Sequence, residues 1–456
     1  MEENTRENKM GTMPIGKLLA NMAGPVMISM LFQALYNIVD SVFVARLSQD
    51  AMNAVSLAFP LQTLCIAFAV GTGVGMNALL ARSLGEKNMQ AVDRAAGTGL
   101  FLTLCTAAVF AVLGFSLATP FFRFQTENAQ IIAYGSAYVM ICIGGSLGLF
   151  LQIYGERLLQ STGRTDLSMI SQIAGAVCNI VLDPIFIFML HMGIRGAALA
   201  TILSQLLSAI WILRFLTSDK TILKLRRSSM HLSARRIRKI VGLGLSGFTM
   251  AITNCTVQIM CNATLQVYGG DLYVGVMTVI NSIREIATLP VPGVTHSAQP
   301  VLGFNYGAKE YGRVKKAIVF TSFIAILYTT GIWLIVDGFP AFFIRIFNQD
   351  AELIAAGIPA IRLYFFGFFM MSLQFSGQSI FVGLGESKKA IFFSIFRKVI
   401  IVVPLTILLP GMFGMGTNGV FAAEPISNFI GGIACFGTML FTIWLKLTKL
   451  QKQEAV

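Results

Sequence analysis

Charge is what this chain has least of. Only 12% of its 456 residues are Asp, Glu, Lys or Arg, where a soluble domain carries about 25%. Histidine and tryptophan occur three times each. No HExxH motif or nucleotide-binding glycine loop is present, so the usual signatures of zinc hydrolysis and ATP-driven pumping are missing. Neither an enzyme nor a cofactor is expected. The seven cysteines (Cys65, Cys105, Cys142, Cys178, Cys255, Cys261, Cys435) fall in apolar stretches without paired loop spacing. They read as small packing residues, not as a disulfide framework or a metal site. A cleavable signal is not expected either: the first 17 residues are polar, and the run after them is too long for a signal-peptide core.

Apolar residues fill the space that charge leaves. They make up 55% of the chain, and the mean hydropathy is +0.73. Runs of ~20 apolar residues recur along the whole length, each long enough to cross a bilayer as a helix. The reading is an all-α integral membrane protein with twelve transmembrane helices, near 18–45, 52–80, 92–118, 131–156, 167–190, 196–217, 240–268, 273–302, 317–340, 354–382, 390–410 and 418–445.

The net charge of +13 would suit a nucleic-acid partner, but its placement argues otherwise. Arg82, Lys87 and Arg94 follow the second span; Arg157 and Arg164 the fourth; Lys309, Arg313, Lys315 and Lys316 the eighth; Lys388 and Lys389 the tenth. The link 218–239 holds eight Lys and Arg, including Lys220, Lys224, Arg226 and Arg227. Alternate links hold only Arg46, Arg123, Arg195 and Arg345. Basic links stay on the cytoplasmic side, so both termini are expected inside. The basic link then serves topology and joins two halves, with a regulatory or lipid-headgroup role as the alternative.

Those halves repeat at a nearly fixed offset of 222 residues. Ser83-Leu84-Gly85-Glu86-Lys87 aligns with Asn305-Tyr306-Gly307-Ala308-Lys309, Gly155 with Gly377, and Gly163 with Gly385; with one residue of slip, Gly193 and Gly196 match Gly416 and Gly419. Six spans per half is an even number. Two parallel six-helix bundles with internal pseudo-twofold symmetry are therefore expected, residues 1–217 and 240–456, flanking a central cleft suited to alternating access. Asp40 aligns with Asn262 and Asp183 with Leu405, so an ionisable pair belongs to the first half alone.

Asp40 and Asp183 lie inside apolar runs, where a carboxylate costs at least ~2.5 kcal/mol on insertion scales and usually marks an ion or proton path. At ~1.5 Å rise per residue, Asp40, Asp183, Tyr138 and Thr201 sit at one depth, on the first, fifth, fourth and sixth spans. Asn179 shares the face of Asp183, and Tyr36 and Asn37 that of Asp40. Carboxylates, an amide oxygen and a hydroxyl are hard oxygen ligands suited to Na⁺ or a proton; Asp40 and Asp183 are the candidate Na⁺ ligands. Two close carboxylates also repel, which makes protonation accessible. Pro184 is expected to disturb its helix and free a carbonyl nearby. The alternative is a hydrogen-bond cluster that pins the first, fifth and sixth helices.

In the second half, Arg284-Glu285 lies in the eighth span, and Glu424 precedes Pro425 in the twelfth. Glu285 and Glu424 either face the cleft and attract a cationic substrate or pair internally. Arg284 reads as the one intramembrane cation. The run Tyr364–Met371 reads mostly as lipid-facing, with Met370 and Met371 as soft candidates for a promiscuous wall. His191 and His296 are assigned no role.

Twelve spans, Gln33-x-x-Tyr36-Asn37-x-x-Asp40, Asn179-x-x-x-Asp183-Pro184 and Gly193-x-x-Gly196-Ala197-Ala198-x-Ala200-Thr201 together resemble the MATE (multidrug and toxic compound extrusion) family, in its bacterial MepA-like branch. The resemblance covers essentially the whole chain. It implies a monomeric, multi-pass secondary transporter that exports organic cations, drugs and other toxic compounds by antiport with Na⁺ or H⁺. It also implies a cation site made of Asp40, Asn179, Asp183 and Thr201. The seventh span carries no acid between Cys255 and Gln266, a departure from family members that keep one there. The same superfamily contains flippases for lipid-linked oligosaccharides, whose clefts are lined by cations; with Arg284 alone in view, a flippase is the runner-up.

Overall fold

The computed structural model describes residues 8–218, 233–412 and 414–454. The basic residues Lys220, Lys224, Arg226 and Arg227 lie outside these segments. The described residues are nearly all helical, with no strand among them.

The first six spans are α1 (Ile15–Ala45), α2 (Gln49–Gly85), α3 (Met89–Gln125), α4 (Ala129–Cys142 and Leu147–Ser161), α5 (Thr165–Pro184, continued by a π turn Ile185–Met189) and α6 (Ile194–Leu216). A continuous stretch, Ala234–Thr288, is two helices joined across Gly270, whose φ of 63° only glycine adopts without strain. It divides into α7 (234–269) and α8 (271–288, extended by Pro290–Gly307). Then follow α9 (Tyr311–Gly338), a short helix Pro340–Phe347, α10 (Ala351–Phe365 and Phe368–Gly383), α11 (Ser387–Leu408) and α12 (Thr417–Glu454). With this division, helices stand at all twelve expected positions among the described residues.

Residues 10–23 and 249–456 form one compact unit, here unit 2; residues 1–9 and 24–248 form the other, unit 1. These units depart from the sequence division in two places. The start of α1 clusters with unit 2, where the Arg313 guanidinium donates to the carbonyls of Met10 (3.0 Å) and Met13 (2.7 Å), and Leu18, Leu19 and Met22 are fully buried. The start of α7 clusters with unit 1, because Gly244 and Gly71 allow α7 and α2 to cross backbone to backbone. A Cβ on Gly244 would stand 2.3 Å from the Gly71 carbonyl oxygen. Hydropathy gives a span but not its packing partner, so neither exchange is visible in the pattern.

The repeat is written into the backbone. Lys87 and Lys309 both take positive φ (55° and 62°), as do Gly163 and Gly385 (82° and 86°) and Gly193 and Gly416 (56° and 52°). α4 and α10 each bend by 44° near equivalent positions. The α10 bend falls at Gly367, inside the aromatic run. That break corrects the lipid-facing reading of the run: Tyr364, Phe365, Phe368 and Met371 are buried in the core of unit 2, and Phe366 is exposed.

Candidate functional site

In unit 1, two contacts set α1 against α5. Gln172 Nε2 donates to Gln33 Oε1 at 3.3 Å, and the Phe43 and Phe188 rings meet edge to face at 6.2 Å. These contacts bracket Asp40 on one helix and Asp183 on the other, which brings both carboxylates to one level and within electrostatic reach of each other. α5 is fixed to α6 by a reciprocal pair: Ser171 and Ser208 each donate to the other's carbonyl, at 3.4 and 3.0 Å.

Asp183 is wholly inaccessible, and Asn179 is 2% exposed. Asn179 Nδ2 donates to Asp183 Oδ1 at 3.3 Å, as expected from their spacing. Three buried oxygens are then left without a donor among the described residues: Asp40 Oδ1, Asp183 Oδ2 and Asn179 Oδ1. Three buried acceptors with no donor are what a proton or a desolvated Na⁺ satisfies, and the donor set is chemically suited to either.

The other expected residues stand around this trio with partners of their own. Gln62 Nε2 donates to the Tyr138 hydroxyl at 3.1 Å, and Thr201 Oγ1 donates to Ala197 O at 3.0 Å. The threonine keeps acceptor capacity, and its hydrogen is committed to the helix. Tyr36 lies one turn before Asp40, within its electrostatic reach. Pro184 does disturb α5: the helix passes into the wider π turn Ile185–Met189 immediately after it. Gly24-Pro25 leaves α1 helical throughout, with Ser29 Oγ donating to the Pro25 carbonyl at 2.9 Å. A buried acid not singled out from the sequence, Glu156 on α4, accepts from Gln152 Nε2 at 3.0 Å.

Unit 2 holds a feature that sequence reasoning missed. Arg284, Lys398, Glu424 and Tyr364 line a small cavity of about 20 Å³ with Asn254, Gln258 and Asn281. Lys398 Nζ donates to both Glu424 oxygens, at 2.9 and 3.2 Å. Behind it, Arg397 Nη1 lies 3.3 Å from Glu424 Oε1 and also donates to Asn428 Oδ1. Arg397 and Lys398 are each 4% exposed. Arg284 is thus not the lone intramembrane cation: both others lie inside the expected eleventh span, seven and eight residues in. They escaped notice because Val399–Leu409 is apolar enough to dominate the span. Their adjacency also opposes the helical period; the π segment Phe396–Val402 widens the turn so that both reach Glu424.

The expected substrate-cleft residues fare unequally. Glu424 lines a cavity, but as the counter-ion of two cations. Glu285 is exposed and lines no part of it. Met371 is packed in the core, and neither Met370 nor Met371 borders the cavity; the bend at Gly367 turns this part of α10 away.

The described residues thus form a polytopic helical protein in which unit 1 buries an oxygen-rich polar set. The MatE family model matches residues 25–185 and 246–408, once in each half. The chain belongs to this family, whose members are transporters. It is 24% identical over 432 residues to the FAD transporter of Shewanella oneidensis, covering 93% of this chain and 94% of that one. It is 21% identical over 403 residues to the multidrug export protein MepA of Staphylococcus haemolyticus, covering 88% of each. A solved outward-facing multidrug resistance MATE family transporter of the MOP superfamily matches with a TM-score of 0.90 at 24% identity, over 99% of this chain and all of that one. That likeness concerns the fold.

Proposed function

We propose that this chain exports small organic molecules across a bacterial plasma membrane by antiport with Na⁺ or H⁺, and that Asp40, Asn179 and Asp183 hold the coupling ion, with Tyr36, Tyr138 and Thr201 around them. One observation carries the reading: three buried oxygens on α1 and α5 lack a donor among the described residues. A buried carboxylate left in that state is unfavourable unless a cation or proton comes and goes. The distribution of basic links supports cytoplasmic termini.

The relatives divide over substrate. MepA is named for multidrug export, which supports organic cations and other xenobiotics, and the Shewanella relative is named for FAD. The acids offered for cation attraction give the first class little support, since Glu424 is paired with two cations and Glu285 lies outside the cavity. The lipid flippase reading gains from the cations of unit 2, and it would hold if a lipid-linked sugar, rather than a solute, crossed reconstituted vesicles.

The test is solute export from proteoliposomes under an imposed Na⁺ gradient and then an imposed pH gradient. One gradient should drive export in the wild type, and Asp40→Asn and Asp183→Asn should each reduce it to leak, since an amide neither takes up a proton nor balances Na⁺. Wild-type rates in both variants would remove the coupling site.

A further inference from the structure

The small cavity of unit 2 has no role in the coupling reading, yet the charge around it is unbalanced. Lys398 and Arg397 share the single carboxylate of Glu424. Arg284 forms no ion pair among the described residues, and its Nε, like that of Arg397, is buried without an acceptor among them. Three cations against one anion leave two positive charges in excess. Loss of a proton from Lys398 would remove only one of them. At span depth such an excess is strongly unfavourable unless a further anion is bound.

Space decides which anion. About 20 Å³ admits a particle near the size of one water, so a phosphate or any carbon skeleton is too large. A water would accept from Arg284 but leave the charge uncompensated. A monoatomic anion does both, and its spherical charge accepts from donors in every direction. The lining supplies them: the Arg284 guanidinium, the Lys398 ammonium, the Tyr364 hydroxyl and the amides of Asn254, Gln258 and Asn281. The apolar remainder of the wall, with Val257 and Met277, strengthens the attraction by lowering the local dielectric.

We propose that this cavity binds a single chloride ion between Arg284 and Lys398, while Glu424 keeps Lys398 and Arg397 in place. The ion is a resident counter-charge of unit 2, neither substrate nor coupling ion. The proposal goes beyond the export reading and does not depend on it.

The test is a melting titration of the full-length protein, purified in detergent without chloride. Choline is the only added cation and the pH is fixed, so the conditions at the acidic trio stay constant. Replacing gluconate by chloride should raise the melting temperature along a saturating curve, and bromide should do the same. Arg284→Met should raise the half-saturating chloride concentration at least about tenfold, since it removes a full charge beside the ion. Arg284→Lys should restore part of the response. Crystals of the wild type grown in bromide should show an anomalous peak between Arg284 and Lys398, a readout that stands even where the methionine variant fails to fold. Equal melting in chloride and gluconate overturns the proposal. So does a chloride effect that Arg284→Met keeps undiminished, which marks a general salt effect. A bromide peak found only elsewhere marks an adventitious ion only, and an ordered water in the cavity marks a hydration site; either result also overturns it.

Discussion

Tyr36, Asp40, Gln62, Cys142 and Thr201 of unit 1 have as repeat counterparts Gln258, Asn262, Arg284, Tyr364 and Glu424 of unit 2. Four of these counterparts, Gln258, Arg284, Tyr364 and Glu424, line the basic cavity of unit 2. The exchange reaches into the packing. In unit 1, Gly175 faces Ser208, and a Cβ on Gly175 would stand 2.3 Å from the serine oxygen. Their counterparts are Arg397 and Gly431, where a Cβ on the glycine would stand 2.8 Å from the arginine stem. The small residue has moved to the opposite helix, and the space it leaves admits a cation. One six-helix plan can therefore carry opposite charge if a few facing pairs trade size, because close packing between the helices sets which residue is large.

The contrast predicts opposite responses to removing an acid. Glu424→Gln leaves Lys398 and Arg397 buried without their counter-ion and should cost about 3–5 kcal/mol. Asp183→Asn replaces a carboxylate that lacks a donor at one oxygen by a neutral group of the same shape, so it should leave stability unchanged or raise it, at the expense of coupling. Thermal melting of both variants in detergent reads the difference. Equal losses would mean that Asp183 is as firmly paired as Glu424, and the comparison would collapse.

Next in size is the effect of the coupling ion on unit 1. An ion that binds only the folded protein stabilises it by about 2.7 kcal/mol at a hundred times its Kd. Melting should therefore rise either when NaCl replaces choline chloride or when the pH is lowered, and the effective arm identifies the ion. Asp183→Asn should respond to neither, whereas Arg284→Met should respond as the wild type does. A variant of unit 2 that loses the response would show that the two sites are not separate.

The sequence disclosed the acidic site more fully than the basic one. An aspartate in an apolar run stands out, and the four-residue spacing of Asn179 and Asp183 predicts the contact that is observed. Arg397 and Lys398 are as polar, but the apolar residues after them masked their cost, and adjacency on an ordinary helix would not bring both to one partner. The π segment that does so has no periodicity signal. The bend at Gly367 likewise hid that half of the aromatic run is core. The repeat was legible because its glycines and loop residues are conformational requirements, and those survive where side chains diverge.

The facing-pair exchange gives the next test. Gly431→Ala places a methyl group against the Arg397 stem and should cost about 1–3 kcal/mol as an overpacked contact. Arg397→Ala should relieve that clash, so the double variant should cost less than the two single changes together. Additive losses would show that Gly431 serves some need other than room for Arg397.

The smallest effect concerns what the units share. Lys87 and Lys309 end equivalent helices in the left-handed region, where a side chain costs about 1–2 kcal/mol. Both corners carry the same backbone bonds: Asn88 N donates to Ser83 O at 3.1 Å, and Glu310 N to Asn305 O at 2.9 Å. Gly163 and Gly385 close two further corners in the same way and already have the residue that this conformation favours. Lys87→Gly and Lys309→Gly should therefore each stabilise by about 0.5–1 kcal/mol, the strain relieved being partly offset by the greater freedom of glycine in the unfolded chain. Neither lysine belongs to the acidic trio or the basic cavity, so the ion response should stay as in the wild type. The two gains should also match, since the corners share geometry whatever charge their units carry. A gain at one corner and a loss at the other would show that the units differ in scaffold as well as in charge, and the difference in chemistry could no longer be assigned to the facing pairs alone.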